Sequence, residues 1–122
     1  MCPYTARVWE EVLRMCNVER MALPWDDEIR WMLAHSKGSK FPETVRKLAL
    51  AATVYHVWLE RNRRTFSNLF LPHQDLVRRV RRDVVGKLST RNNAQQCEHH
   101  HSICENWGIT VEDGIAPVVH GP

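Results

Sequence analysis

The segment at residues 42–66 constrains the fold most, because its pattern predicts one long helix that is apolar on most of its sides. It contains no glycine, and its only proline stands at the first position, which suits the first turn of a helix. A helix of this kind is usually central and surrounded by other helices. The stripe expected to be buried contains Val45, Leu48, Ala49, Ala52, Tyr55, Leu59 and Phe66, with Leu50, Val54, Val57 and Trp58 on other sides.

Three further segments show helical periodicity. Residues 5–16 place an apolar stripe opposite charged side chains, and residues 26–35 follow Pro24 with Asp26 as a candidate N-cap. Residues 72–88 are amphipathic, with arginines between apolar positions spaced by three or four. No segment alternates apolar and polar residues as a half-buried strand would. The sequence therefore predicts an all-α fold of about four helices packed around the third one.

The remainder of the chain is polar and lacks a period. We predict a helical domain at residues 1–90 and an irregular tail at 91–122, in which 102–107 could form a helical turn and the last dozen residues are loose. No membrane protein is expected, because the longest apolar run is about 12 residues and includes His56, whereas a spanning helix needs about 20. The N-terminus has no apolar stretch of a signal peptide.

Basic residues are concentrated in one part of the chain. Residues 60–91 contain nine basic and three acidic side chains, a net +6 in a chain of net +3. This asymmetry suits a nucleic-acid backbone, but equally a solvated helix face on which Glu60 pairs with Arg64, and composition leaves both open. Aromatic residues, which single-strand binders place between basic ones, are few here. The candidate phosphate contacts are Arg61, Arg63, Arg64, Arg78, Arg79, Arg81 and Arg82.

The paired acids Asp26 and Asp27 are the closest approach to a catalytic motif. Two-metal polymerases present an aromatic-led Asp-Asp pair in a tight hairpin, but here the pair leads into a predicted helix without a third carboxylate in a matching context. We interpret it as a helix cap. The sequence contains no Gly-rich phosphate loop and no G-x-S-x-G or H-E-x-x-H motif.

Cysteine and histidine residues cluster in the stretch "CEHHHSIC". Its candidate zinc ligands are Cys97, His99, His101 and Cys104, with His100 between them, but one short tract cannot easily wrap a tetrahedral ion. The alternative is a polar segment with Cys104 turned inward. Without a secretory signal, the four cysteines are interpreted as thiols or metal ligands and not as a disulfide framework. Cys16 lies on an apolar stripe and is expected to be a buried thiol.

Three stretches together resemble one known family. "YHVWLERNRRTF" (residues 55–66) resembles the aromatic-x-x-Trp-x-Glu-Arg-Asn-x-Arg-x-Phe signature near the C-terminus of plant non-LTR retrotransposon reverse transcriptase polyproteins. "CPYTARVWEEVL" is similar to the segment that closes their zinc-binding region, and "HSICENWGI" to the way that they often end. The three occur in the family's order, and the block from Trp58 to Arg64 is the most specific of them.

The resemblance implies a helical C-terminal remnant of such a polyprotein. Cys2 matches the last ligand of the family's zinc knuckle, but the other ligands would precede Met1, so the ligand set is incomplete and no cofactor is expected. The polymerase and ribonuclease H catalytic residues are likewise absent, which predicts a protein without enzymatic activity. The family role implied is holding template RNA or target DNA, in an intracellular protein with access to the nucleus.

Two classes of function follow. The leading hypothesis is a non-catalytic nucleic-acid-binding module in which the arginines of the fourth helix contact phosphate without base specificity. The alternatives are a helical interaction or structural module, with the upstream polyprotein region as partner and Trp9, Trp31 and Trp58 in its core or facing the partner, and a retroelement fragment with no function.

Specific contacts are also expected within residues 55–66. Tyr55, Leu59 and Phe66 would lie in the core, and Trp58 would form a cation–π contact with Arg61. Arg63 would remain the freest of its arginines for a phosphate.

Overall fold

The computed structural model describes residues 1–67, 70–88, 99–110 and 118–119, and within these ranges the chain is helical almost throughout. The predicted all-α class is confirmed. A two-residue antiparallel pair, β1 (Ile109–Thr110) and β2 (Val118–Val119), is the extended structure in these ranges. The helices are α1 (Pro3–Met15), α2 (Trp25–His35), α3 (Phe41–Ser67), α4 (His73–Leu88) and α5 (His101–Trp107).

Helices α1, α3 and α4 pack against one another and enclose the core, and α2 contacts α3. Helix α3 thus contacts α1, α2 and α4. The core is built mainly of valine and leucine from these helices, with Trp9 fully buried among them. Cys16 is buried there as expected, and burial raises the pKa of its thiol to about 12.

The buried face of α3 differs from the prediction. Tyr55 and Phe66 are exposed and Leu59 is half-buried, so the expectation that all three lie in the core is wrong. The neighbours of α3 cover one side of it only, and that side includes polar residues. Apolar residues occupy both sides of this helix, so periodicity alone could not select the buried one. The buried residues are Phe41, Val45, Ala49, Thr53, His56, Val57 and Glu60.

Helix α1 ends in a Schellman motif, and α5 forms hydrogen bonds with the residues of this motif. Asn17 has a left-handed backbone (φ 64°), and the Val18 N–H donates to the Leu13 carbonyl at 2.9 Å. The Asn106 amide of α5 donates to Asn17 Oδ1 at 2.7 Å and to the Met15 carbonyl. Ile103, Trp107 and Ile109 of this region join the core. The loose tail expected over the last dozen residues falls almost entirely outside the described residues.

The start of α2 does not use the predicted cap. The N-cap is Pro24, and no side chain caps the helix by a hydrogen bond, so the assignment of Asp26 as N-cap is wrong. Asp26, Asp27 and Glu28 instead occupy the first turn, where their charges favour the helix dipole. Glu28 is fully buried and receives two hydrogen bonds from Arg20, at 2.7 and 2.8 Å.

No helix in the described ranges has the length and apolarity that a membrane span requires. The longest one, α3, carries charged residues at its C-terminal end and buries Glu60 on its inner face.

Replacing Leu76 by alanine should destabilise the fold by about 2–5 kcal/mol, because the side chain is buried between α4 and its neighbours and its loss leaves a cavity. Urea unfolding followed by circular dichroism measures this change. Leu33→Ala is the matched control: Leu33 is exposed on α2, so its effect should stay within about 0.5 kcal/mol. Equal effects of the two substitutions would contradict the packing described.

Candidate nucleic-acid interface

A buried carboxylate organises the end of α3. Glu60 is 2% exposed, and its oxygens accept hydrogen bonds from Arg63 Nη1 (2.6 Å), Arg64 Nε (3.0 Å) and the backbone N–H of Leu71 (2.9 Å). We call these groups the Glu60 cluster. A buried charge is tolerated only when it is paired and hydrogen-bonded, and here both oxygens have donors. The predicted pair of Glu60 with Arg64 is confirmed.

The protonation of Glu60 follows from these contacts. Burial by itself raises the pKa of the carboxyl, but the hydrogen bonds from the Leu71 N–H and Arg64, with the charges of Arg64 and Arg63, lower it by more. The pKa of Glu60 is therefore below its ordinary value of 4.5. Glu60 is ionised at neutral pH, and it neutralises much of the charge of its two arginines.

Arg64 extends the Glu60 cluster to the first helix. Its guanidinium lies over the ring of Tyr4, 4.2 Å from the centroid, and over that of Phe70 at 5.0 Å. The Tyr4 hydroxyl donates a hydrogen bond to the Leu71 carbonyl at 2.7 Å. Residues of α1, α3 and the segment before α4 therefore meet at this point.

Two expectations about residues 55–66 are wrong. Arg63 is not the freest arginine, because it donates to buried Glu60. Within the described residues Trp58 has no cation–π partner and is 58% exposed. Among the arginines at positions 55–66, Arg64 has its guanidinium over aromatic rings. Arg61 is exposed and has no ion-pair partner in the part of the chain that the structure describes.

Three of the four predicted arginines of α4 share one pocket. Arg78, Arg79 and Arg82 line an open depression of about 260 Å³ together with Leu71 and Asp75. Positions 75, 78, 79 and 82 fall on one side of a helix by their spacing, which explains the grouping. We call this the α4 arginine pocket. It contains one acid, Asp75, which accepts a hydrogen bond from Arg78 at 3.0 Å.

The fourth arginine of α4 lies apart. Arg81 is half-buried and does not line the pocket, because one position before Arg82 is about 100° around the helix, toward the buried side. The predicted set is thus divided into three groups: the α4 arginine pocket, Arg81, and the end of α3 with Arg61, Arg63 and Arg64.

The candidate metal ligands do not converge within the described residues, where no three His, Cys, Asp or Glu side chains form a group that could hold an ion. Cys2 instead caps α1: its sulfur accepts from the Thr5 N–H at 3.5 Å. The hydrogen bond from the Thr5 side chain lowers the pKa of the Cys2 thiol.

The histidine-rich tract is divided between solvent and the core. His99 and His101 are exposed, His101 lying 3.6 Å from Glu105, while His100 stacks on Phe41. Cys104 is buried and disulfide-bonded, so its interpretation as a thiol or metal ligand is wrong; a half-cystine has no thiolate to offer an ion. Cys97 lies outside the described residues.

Sequence reasoning missed four residues of this region. Tyr4, Phe70 and Leu71 complete the junction around Arg64, and Asp83 contacts buried His56 across α3 and α4, with Nε2 and Oδ2 2.5 Å apart. The signal available for Phe70 was its position just before the basic helix. The other contacts join residues far apart in the chain, which no local pattern reveals.

Comparison of the chain with protein-family models, with curated proteins and with solved structures finds no match.

Changing Glu60 to glutamine should destabilise the protein at neutral pH by about 2 kcal/mol, because it removes a charged acceptor from two arginines and a backbone N–H. The folded-state pKa of Glu60 lies below the unfolded one, so its stabilisation is present above the unfolded pKa and is lost as the pH falls through the folded value. The difference between wild type and Glu60→Gln should therefore shrink as the pH falls from neutrality through the folded-state pKa, which lies below 4.5.

Urea unfolding over this pH range measures the difference in the free energy of unfolding between wild type and Glu60→Gln. Asp75→Asn is the matched control, since the Asp75–Arg78 pair is exposed and such pairs contribute about 0–1 kcal/mol. A destabilisation by Glu60→Gln that did not change with pH would refute the assigned role of the carboxylate.

Proposed function

We propose that this chain is a non-catalytic module that binds the phosphate backbone of RNA or DNA, derived from the C-terminal part of a retroelement polyprotein. The observation that carries the proposal is the α4 arginine pocket, which brings Arg78, Arg79 and Arg82 around one open depression. Planar guanidiniums bind phosphate oxygens in pairs of hydrogen bonds, and several of them around a pocket can surround one phosphate or two adjacent ones.

The arginines of the pocket are available to an incoming anion. Within the described residues Arg79 and Arg82 have no ion-pair partner, and Arg78 has only the exposed carboxylate of Asp75. Exposed pairs of this kind contribute about 0–1 kcal/mol, so exchanging Asp75 for a phosphate costs little. By contrast, Arg63 and Arg64 form ion pairs with buried Glu60. They would support binding mainly by holding the structure around Glu60 in place.

The resemblance to reverse transcriptase polyproteins supports the same proposal. The most specific block of that resemblance includes Glu60 and Arg64, which here hold the junction of α1, α3 and α4. That block therefore has a structural role here, and the support for binding comes from the family role that the resemblance implies, which is holding template RNA or target DNA. The proposed role is binding alone, with no catalysis, no cofactor and no base specificity.

Replacing Arg78, Arg79 and Arg82 together by glutamine should weaken binding to RNA and DNA of mixed sequence by about ten-fold or more. Fluorescence anisotropy over a range of salt concentrations measures the affinity. Losing three phosphate contacts should also reduce the slope of log K against log[salt] by about 2 to 3, because each contact releases counterions.

The matched control removes the same number of positive charges from another part of the surface. Arg7, Arg14 and Arg30 are exposed on α1 and α2, and their joint replacement by glutamine should have much less effect. Two results would contradict the proposal: a wild-type affinity independent of salt, or equal losses in the two triple variants. Arg81→Gln alone should reduce the affinity less than Arg82→Gln, because Arg81 lies outside the pocket.

A second candidate function is protein interaction through the outer face of α3, defined by Val54, Tyr55, Trp58 and Phe66. All four side chains are exposed on the side away from Glu60. Beside them Tyr55 borders a largely apolar groove of about 250 Å³ between α3 and α4. An exposed apolar face of this extent is typical of an interaction surface. A second copy of the chain or an upstream polyprotein region could cover it.

Sedimentation at high salt tests this candidate. If the outer face of α3 is an interface, the chain should dimerise even at about 1 M salt, where charges are screened beyond about 3 Å. Trp58→Gln should abolish the dimer, and Leu33→Gln, which removes an exposed leucine of α2, should not. A monomer under all conditions would exclude self-association through this face.

A further inference from the structure

An exposed aromatic ring stands beside the α4 arginine pocket. Phe70 is 67% exposed, and the next residue, Leu71, lines the pocket. Consecutive Cα atoms are about 3.8 Å apart, so the backbone of Phe70 adjoins a residue that lines the basic depression, although the ring is not itself among the lining side chains. A large exposed aromatic residue at a site for anions suggests a ligand that has both charge and a flat apolar part.

The ring is also held in place. The Arg64 guanidinium lies over it, 5.0 Å from the centroid, and Arg64 is itself fixed by Glu60 and by the ring of Tyr4. Arg64 therefore contacts both rings, and Phe70 remains largely open to solvent. Because Phe70 is already ordered, a further planar group would stack on it with little additional loss of side-chain entropy.

We propose, as an extension of the function proposed above, that Phe70 and the α4 arginine pocket form one subsite for single-stranded nucleic acid. A base stacks on Phe70, and the neighbouring phosphates are bound by Arg78, Arg79 and Arg82. A single strand offers the faces of its bases, whereas a duplex keeps them stacked on one another and presents only their edges. The subsite therefore favours single strands of any sequence over duplexes.

This subsite changes the interpretation of the aromatic residues. The sequence has few aromatics between its basic residues, which argued against a single-strand binder. The fold supplies one from outside the basic helix, because the hydrogen bonds of Leu71 to Glu60 and Tyr4 fix the backbone next to Phe70 beside the pocket.

The test compares two anionic chains that differ only in their bases. Anisotropy is measured for an oligothymidylate of about 16 nucleotides and for an abasic deoxyribose-phosphate oligomer of the same length. The wild-type chain should bind the oligothymidylate about five-fold or more tightly than the abasic oligomer. Phe70→Leu should remove most of this preference while leaving the affinity for the abasic oligomer and for a duplex unchanged.

Phe66→Leu is the matched control. Phe66 is 84% exposed, but it lies six positions after Glu60 in α3, about 120° away around the helix and away from the cluster. The Phe66→Leu variant should keep the wild-type preference for the oligothymidylate over the abasic oligomer. Circular dichroism checks that both variants are folded.

The outcomes separate this inference from the function on which it rests. If the wild type binds both oligomers equally, or if Phe66→Leu loses as much preference as Phe70→Leu, the base-stacking subsite is refuted and phosphate binding stands. If the wild type binds neither oligomer nor the duplex, both proposals are overturned.

Discussion

The buried charge of Glu60 is the constraint on which the geometry of the junction depends. A carboxylate with 2% exposure must find donors for both oxygens, and here they come from two arginines and one backbone N–H. The N–H belongs to Leu71, so satisfying the acid also fixes where the chain turns toward α4. Leu71 also lines the α4 arginine pocket, so the hydrogen bonds that buried Glu60 requires help to fix the position of this basic pocket.

A second buried acid, in α2, repeats this principle. Glu28 lies in the first turn of α2 and accepts hydrogen bonds from Arg20 through both oxygens, while the Leu23 N–H donates to it at 2.8 Å. Burial by itself raises the pKa of Glu28, but the Arg20 and Leu23 hydrogen bonds lower it by more. Arg20 also lies over the half-buried ring of Trp31. In both clusters arginine charge is used inside the fold, which leaves α4 as the helix that presents arginines to solvent in one pocket.

Periodicity was sufficient to predict where the helices lie and which residues of α1 and α4 are buried, because each has a single apolar stripe. It failed for α3, since Tyr55 and Trp58 are as apolar as the residues facing the core, while His56 and Glu60 are buried through partners distant in sequence. The hydrogen bond from the Tyr4 hydroxyl to the Leu71 carbonyl joins residues that are farther apart still. Spacing could group Arg78 with Arg82, but it could not show that Leu71 lines the same pocket.

The contact between Tyr4 and Leu71 has a consequence for how α1 is retained. It joins residues 67 apart in the chain, whereas the farthest contact of Glu60 spans 11 residues. Closing the longer loop costs about 1.5 kcal/mol more in chain entropy. A single hydrogen bond contributes about 1 kcal/mol, less than this difference. The hydrogen bond of Tyr4 alone is therefore too weak to hold α1 in place, and the attachment of α1 comes from the complete burial of Val8, Trp9, Val12 and Leu13.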